Sequence, residues 1–323
     1  MLSKNSNIHK ILVISLSNIG DVILTFPVVD ILKENFPEAK LSIVVGPKAE
    51  SLFWANPYFG KVYIYDKRQP LAKTLRWLWE LRKENFDLVV DLRNSAVPFF
   101  IAPRFRTPFV IKKEETAHMK QKHLRHLKMV YPFEREAQKK YSIYVSEKDK
   151  GFIDQLIQEK TGAQTKFAVI AAGAANQDKR WTEEGFRELA DKLIERHGLK
   201  IVFVGDGKDR EITERIAGSM LNPSLNLCGR LTLIQLAELF QRSAFVAAND
   251  SAPMHLASYL DRPAAAIFGP SDPQKYGPWG LNSFYIQKNG SCLKCQDKNS
   301  QEKHTCMQAI TSSDVLQALK GLV

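Results

Sequence analysis

The chain has 323 residues, enough for two domains, and its 44% hydrophobic and 25% charged content is ordinary for a soluble globular protein, so disorder is not the default. Lysine and arginine outnumber aspartate and glutamate by 46 − 35 = +11, an excess that favours an anionic partner: nucleic acid, an acidic membrane surface or a phosphorylated molecule. No apolar run reaches the ~20 residues of a membrane span, residues 1–10 are polar and Ile11–Leu16 is too short for a signal peptide, so a cytoplasmic protein with reduced cysteines is expected.

Lys10–Ser15 is a continuous apolar, β-branched run, the mark of a parallel strand buried on both faces. A turn at 17–21 follows, then helical spacing over Asp21–Asn35 with a kink expected at Pro27. Leu41–Val45, Lys61–Tyr65 and Leu88–Asp91 read as strands, with a helix at Leu71–Glu84. Residues 93–140 break the alternation with four prolines and concentrated positive charge, including a basic helix at Lys120–Lys128. A connector over 142–165 holds one helix, Glu147–Lys160.

Alternation then restarts. Strands are expected at Lys166–Ala171, Lys200–Val204, Leu225–Cys228, Ala244–Ala248 and Pro263–Phe268. Helices are expected at Thr182–His197, Asp209–Met220, Thr232–Arg242, Pro253–Leu260 and Ser312–Leu322, with Thr182 as N-cap and Gly198 as stop of the first. The pattern predicts an α/β protein of two Rossmann-like, doubly wound parallel-sheet domains facing across a cleft: 1–160, 161–310, and a terminal helix in 311–323 that packs back on the first domain.

Ligands of such sheets bind beyond the carboxyl ends of the strands, which directs attention to the loops at 16–21, 172–180, 205–208 and 249–255. Asn249-Asp250-Ser251 stands between a strand and a helix, where free N–H groups and the helix dipole attract phosphate; Asp250 and Ser251 are also capping residue types. His255 lies one turn into that helix. Gly269-Pro270-Ser271-Asp272-Pro273 is a stiff second turn, suited to a flat or anionic ligand.

The stretch "NDSAPMHLASYLDRPAAAIFGPSDPQKYGP", with "KILVISLSNIGDVILTFP" and "GAANQDKRWTEEGF", resembles glycosyltransferase family 9, the bacterial heptosyltransferases, and the resemblance runs in order over 10–320. It implies the GT-B fold and inverting, metal-independent transfer of heptose from ADP-heptose to an anionic, Kdo–lipid A-like inner-core acceptor. It also implies a monomer at the cytoplasmic face of the inner membrane, peripherally bound, with no cofactor. Asp21 matches the general base; Lys179 matches a lysine beside the phosphates; Asp250 and His255 match donor-holding residues, with the backbone of Ser251, Ala252, Pro253 and Met254. Gly173, Ala174 and Ala175 form the donor loop, where relatives often carry hydroxyls that alanine lacks. Asp206, or Asp209 in the same loop, is the candidate for the ribose.

The residues support this chemistry independently. Inverting transfer needs a carboxylate to accept the attacking hydroxyl's proton, and Asp21 stands at a strand tip, where it also suits a helix cap. Lys179, Arg180 and the helix beginning at Pro253 offer positive charge to a leaving diphosphate without Mg²⁺. Asn18, Lys112, Lys113, Lys120, Lys122 and Arg125 are the candidates for an anionic acceptor. Competing readings are a family member using another nucleotide sugar or a protein acceptor, a nucleic-acid-binding protein and a non-catalytic sugar-nucleotide module; the basic segment has too few aromatics for the nucleic-acid reading. No catalytic metal is expected. Cys292, Cys295, His304 and Cys306 have the spacing of a structural zinc knuckle, against reduced thiols or a disulfide.

Overall fold

A computed structural model describes residues 2, 7–109, 117–162, 166–297 and 299–320. The chain divides into two compact units, Met1–Tyr144 and Val145–Val323.

In the first unit the elements run β1 (Lys10–Ile14), α1 (Ile19–Ile23), α2 (Phe26–Asn35), β2 (Lys40–Val45), β3 (Phe59–Ile64), α3 (Leu71–Lys83), β4 (Leu88–Asp91), α4 (Val97–Ile101), β5 (Phe105–Arg106) and α5 (Met119–Lys128). The described strands form one parallel sheet in the order β3-β2-β1-β4-β5. The order reverses between β1 and β4, so the loops after those strands flank this unit's switch point. The helix expected over 21–35 is two helices. Pro27 sits in the first turn of α2, where its missing N–H costs nothing, and the break falls just before it. Buried Thr25 secures that break: its hydroxyl donates to Val22 O at 2.6 Å and meets Ser15 Oγ at 2.8 Å. Behind the sheet, Trp77 and Leu81 of α3 pack with Leu12, Ile14, Val89 and Ile101.

The second unit runs α6 (Glu147–Thr161), β6 (Phe167–Ala171), α7 (Glu183–His197), β7 (Lys200–Phe203), α8 (Arg210–Ser219), β8 (Leu225–Asn226), α9 (Leu233–Arg242), β9 (Val246–Asn249), α10 (Ala252–Tyr259), β10 (Ala264–Phe268), α11 (Pro273–Tyr276), β11 (Ser283–Gln287), α12 (Leu293–Gln296) and α13 (Ser312–Ala318). Its strands form a second parallel sheet, β11-β10-β9-β6-β7-β8, which is the Rossmann order with the switch point between β6 and β9. β6, β9 and β10 are buried along their whole length, which is why they read as unbroken apolar runs. Thr182 caps α7 by accepting from Gly185 N at 3.0 Å, and Gly198 ends it at φ +64°.

Two boundaries differ from the sequence expectation. The division falls at 144/145 and not after 160, because α6 belongs with the second unit: Asp149 accepts from Gln235 and Asp154 pairs with Arg242, both of the latter on α9. The terminal helix, expected to pack back on the first domain, instead puts Val315 and Leu319 into the second unit's own core, with Ser312 bonded to Glu188 and Lys192 of α7. β11, α4 and α11 were not expected; each is short and lies among prolines and polar residues.

Candidate functional site

At the second unit's switch point, four loops interlock. Asn249, fully buried at the end of β9, donates to Ala172 O at 2.7 Å and accepts from Trp181 N at 3.0 Å, tying the loops after β6 and β9 together. Trp181 in turn donates through Nε1 to Ile310 O at 3.0 Å. The loop after β7 closes over Gly173. An added Cβ there would lie 2.1–2.2 Å from the Asp209 carboxyl group, so only glycine admits that carboxylate. The turn after β10 is seated likewise: a Cβ on Gly269 would come within 2.7 Å of Asp178 O.

The side chains singled out by sequence take up specific places. Lys179 Nζ and Asp250 Oδ2 form an ion pair at 2.7 Å, with the Asp250 side chain 4% and Lys179 33% exposed. Ser251 is the N-cap residue of α10, but its hydroxyl bonds Asn249 O at 3.2 Å and not a helix N–H. Pro253 has no N–H and Met254 N already donates to Ser251 O at 3.1 Å, so of the first-turn N–H groups of α10 it is that of Ala252 that is left for a ligand oxygen. Met254 is fully buried, backbone included, and packs beneath the loop. His255 is buried and stacks on Trp279, ring centroids 5.8 Å apart at 27°. Trp279 escaped the sequence reading, since nothing local marks a tryptophan that far along as a partner of His255.

Ala174 is buried and its carbonyl accepts from Arg180 Nε at 2.7 Å, whereas Ala175 is exposed. Asp206 is exposed and accepts from Lys208 N at 2.8 Å; Asp209 Oδ2 accepts from Asp206 N at 3.1 Å, completing a reciprocal capping box. Burial raises the Asp209 carboxyl above its usual range, the Asp206 N–H opposing that shift and the Asp206 charge adding to it.

In the first unit, Asp21 lies in the first turn of α1, and the N-cap residue there is Asn18, not Asp21. Asn18 Nδ2 donates to Asp21 Oδ2 at 3.0 Å, which orients the carboxylate. The loop is pinned from beneath by Gly46, where a Cβ would come within 2.8 Å of Ser17 Cα. Across the switch point, Asp91 ends β4 as a second carboxylate that the sequence reading missed. It is buried and accepts from Arg93 N at 2.9 Å, Ser95 N at 2.7 Å and Ser95 Oγ at 2.8 Å. Burial raises its pKa against these hydrogen bonds. These carboxylate bonds shape its own loop, while its backbone N–H donates to Thr107 Oγ1 at 2.9 Å.

The expected acceptor cations are dispersed. Lys112 and Lys113 lie outside the described residues. Lys120 is not a free cation: its Nζ pairs with Glu136 at 3.0 Å and its side chain is 13% exposed. Lys122 is half-buried and Arg125 exposed on α5. A stronger surface feature is an apolar stripe on α3, where Leu71, Leu75 and Trp79, spaced i, i+4, i+8, are 73%, 45% and 56% exposed. Trp79 meets Phe100 at 6.2 Å, and the half-exposed Phe99 and Phe109 extend the patch, with Arg106 3.9 Å over the Phe99 ring. α3 also carries Lys73, Arg76, Arg82 and Lys83, with Glu80 its acidic exception. Among the described residues no helix is long and apolar enough to cross a membrane.

The profile of Glycosyltransferase family 9 (heptosyltransferase) matches residues 75–306. The chain is similar to the lipopolysaccharide core heptosyltransferase OpsX of Haemophilus influenzae, 23% identical over 286 residues and covering 83% of this chain and 81% of that protein. It is 25% identical over 354 residues to lipopolysaccharide heptosyltransferase 2 of Escherichia coli K12, covering 97% and 98%. In fold it matches a glycosyl transferase family 9 structure from Veillonella parvula with a TM-score of 0.81 at 23% identity, over 97% of both chains. It also matches E. coli ADP-heptose lps heptosyltransferase II at 0.76 and 23% identity, over 97% and 98%.

Proposed function

Since the chain belongs to glycosyltransferase family 9, the heptosyltransferases, we propose that it transfers heptose from ADP-heptose to an anionic lipopolysaccharide inner-core acceptor, with inversion and without a catalytic metal. The observation that carries the donor half is the convergence of Gly173, Lys179, Asp250 and the α10 N-terminus on the Rossmann switch point of the second unit. Donor phosphates lie at the α10 N-terminus against the Ala252 N–H, with Lys179 held in place by Asp250 and Arg180 supplying charge. Asp206 bonds the ribose, the usual role of an acidic residue after the second Rossmann strand. Buried Ala174 explains why a hydroxyl is dispensable at that position; Ala175 leaves its contact to backbone N–H groups.

In the transfer, an acceptor hydroxyl oxygen attacks the anomeric carbon from the face opposite the nucleotide. The bond to the ADP oxygen breaks with its electron pair, and the hydroxyl proton passes to Asp21, held by Asn18. A lipid-linked acceptor requires the enzyme to meet a membrane, and the α3 stripe with its cationic border is the surface suited to that contact. Its apolar side chains would enter the interface while its lysines and arginines meet anionic headgroups. Lys122 and Arg125 are retained as acceptor contacts.

The test is a transfer assay with ADP-, UDP-, GDP- and CMP-linked sugars on a Kdo–lipid A acceptor, with and without EDTA and Mg²⁺. Transfer from ADP-heptose that ignores both additives is expected. Preference for another nucleotide sinks the donor assignment, and activity lost to EDTA and restored by Mg²⁺ sinks the metal-free mechanism.

A further inference from the structure

Between β11 and α13 the chain runs through 288–311 with the four-residue α12 as its regular helix. This stretch is rich in Lys, Gln, Asn and Ser, yet Cys292, Cys306, Met307 and Ile310 are buried. A long connection with so little apolar content needs another staple to hold it.

Cys292, Cys295, His304 and Cys306 supply one. Their ligand atoms all lie within 4.8 Å of one another. Cys295 Sγ is 3.8 Å from Cys306 Sγ and 3.4 Å from His304 Nδ1, and Cys292 Sγ is 3.7 Å from the same nitrogen. A tetrahedral zinc with Zn–S near ~2.3 Å and Zn–N near ~2.05 Å sets sulfurs about 3.8 Å apart and sulfur from nitrogen about 3.6 Å apart. Three of the six edges therefore already match a zinc tetrahedron, and the remaining donor pairs are no more than 4.8 Å apart. A disulfide does not fit that spacing, since its sulfurs sit at about 2.05 Å, and the four cysteines of the chain are unpaired. α12 produces the pairing of the first two ligands: Cys292 is its N-cap residue and Cys295 lies one turn on. Thr305 N–H donates to Cys292 Sγ at 3.4 Å, the backbone support typical of a metal-bound thiolate.

We propose that this chain binds one zinc ion through Cys292, Cys295, His304 and Cys306. Four protein ligands close the coordination sphere, so the ion is structural and takes no part in sugar transfer. On binding, each thiol gives up its proton to solvent. The knot braces the nucleotide loops. Met307, next to Cys306, would be 3.1 Å from a Cβ on Gly269, and Ile310 O receives the Trp181 indole. The inference stands on the cluster alone and does not depend on the donor or acceptor assigned above.

Elemental analysis of the full-length protein, purified under reducing conditions in metal-depleted buffer, should find about one zinc per chain. An organomercurial should release it, read by a zinc-binding dye, in step with thiol modification. Cys306→Ser and His304→Ala should lose the ion, while His304→Cys, which keeps four donors, should retain it. Should the variants fail to fold, the wild-type metal content and thiol reactivity decide alone. Metal-free folded protein in which Cys292, Cys295 and Cys306 are readily alkylated overturns the site; iron in place of zinc, visible as thiolate colour, overturns the choice of ion.

Discussion

The Lys179–Asp250 pair makes an asymmetric prediction. Asp250 is almost wholly buried and Lys179 keeps a third of its side chain in water, so the two halves of one 2.7 Å ion pair are not equivalent. Lys179→Ala strands a carboxylate in the interior, a change that costs about 3–5 kcal/mol when nothing replaces the partner. Asp250→Asn leaves an amide that can still accept from Lys179, whose ammonium can otherwise turn to solvent; a loss of about 1 kcal/mol is expected. Lys179→Ala should then unfold at least about 6 °C below the parent, at 2–4 °C per kcal/mol for a unit of this size, and Asp250→Asn only a few degrees below. Adding Asp250→Asn to Lys179→Ala should recover stability, giving a favourable coupling in the double-mutant cycle. The assays are urea unfolding and calorimetric ADP titration, where Lys179→Ala should weaken binding by roughly 1–3 kcal/mol. Equal losses for the two single variants, with no coupling in the cycle, would show that the pair behaves as a surface ion pair and would refute the reasoning.

Asp21→Asn should retain ADP affinity and lower turnover by at least about a hundredfold, the scale of a lost general base; near-normal turnover removes Asp21 from the mechanism. Gly173→Ala forces its methyl into the Asp209 carboxyl group and should cost about 1–3 kcal/mol, with Asp209→Ala in the same chain returning part of the loss; an unaffected single variant contradicts the close approach. His123 is held near pKa 4 by burial first and then by the charges of His126, His118 and Lys122. Its folded pKa is depressed below the ordinary ~6.5, so the unfolded chain takes the proton first and stability declines as pH drops through 6.5 towards 4, by about 2 kcal/mol at pH 5. His123→Phe should flatten that acid limb in unfolding titrations, and an unchanged limb would assign it to other groups. Serine at Leu71, Leu75 and Trp79 together should abolish sedimentation with anionic vesicles while leaving ADP affinity intact; undiminished sedimentation moves the membrane surface elsewhere.

Most of the architecture was legible because it depends on local chemistry. Buried parallel strands announce themselves as apolar runs, and Thr182 and Gly198 bracket α7 through their own backbone preferences. What was not legible depends on partners distant in the chain. The boundary near 145 is set by α6 docking beside α9, some 80 residues away, through Asp149 and Gln235. The place of α13 is set by Val315 and Leu319 finding the α7 side of the sheet. A sequence shows that such helices have an apolar face; it does not show which core receives it.

The same division runs through the site, and there it alters roles. Asp250 and Ser251 looked like alternatives for one capping role, and neither fills it. Ser251 bonds the strand end at Asn249 O, and Asp250 anchors Lys179 from 71 residues upstream. Lys179 and Asp250, read as two separate donor contacts, are one unit, which changes what the lysine brings to a phosphate. Its charge is largely balanced before a ligand arrives, so its main contribution is position, and the positive end of the α10 dipole and Arg180 carry more of the anion's charge. Asn249, outside the expected set, becomes the residue that makes the others possible. Its amide side chain bonds the β6 loop through both of its polar ends, to Ala172 O and Trp181 N, and so fixes the switch point on which Gly173, Lys179 and Asp250 depend.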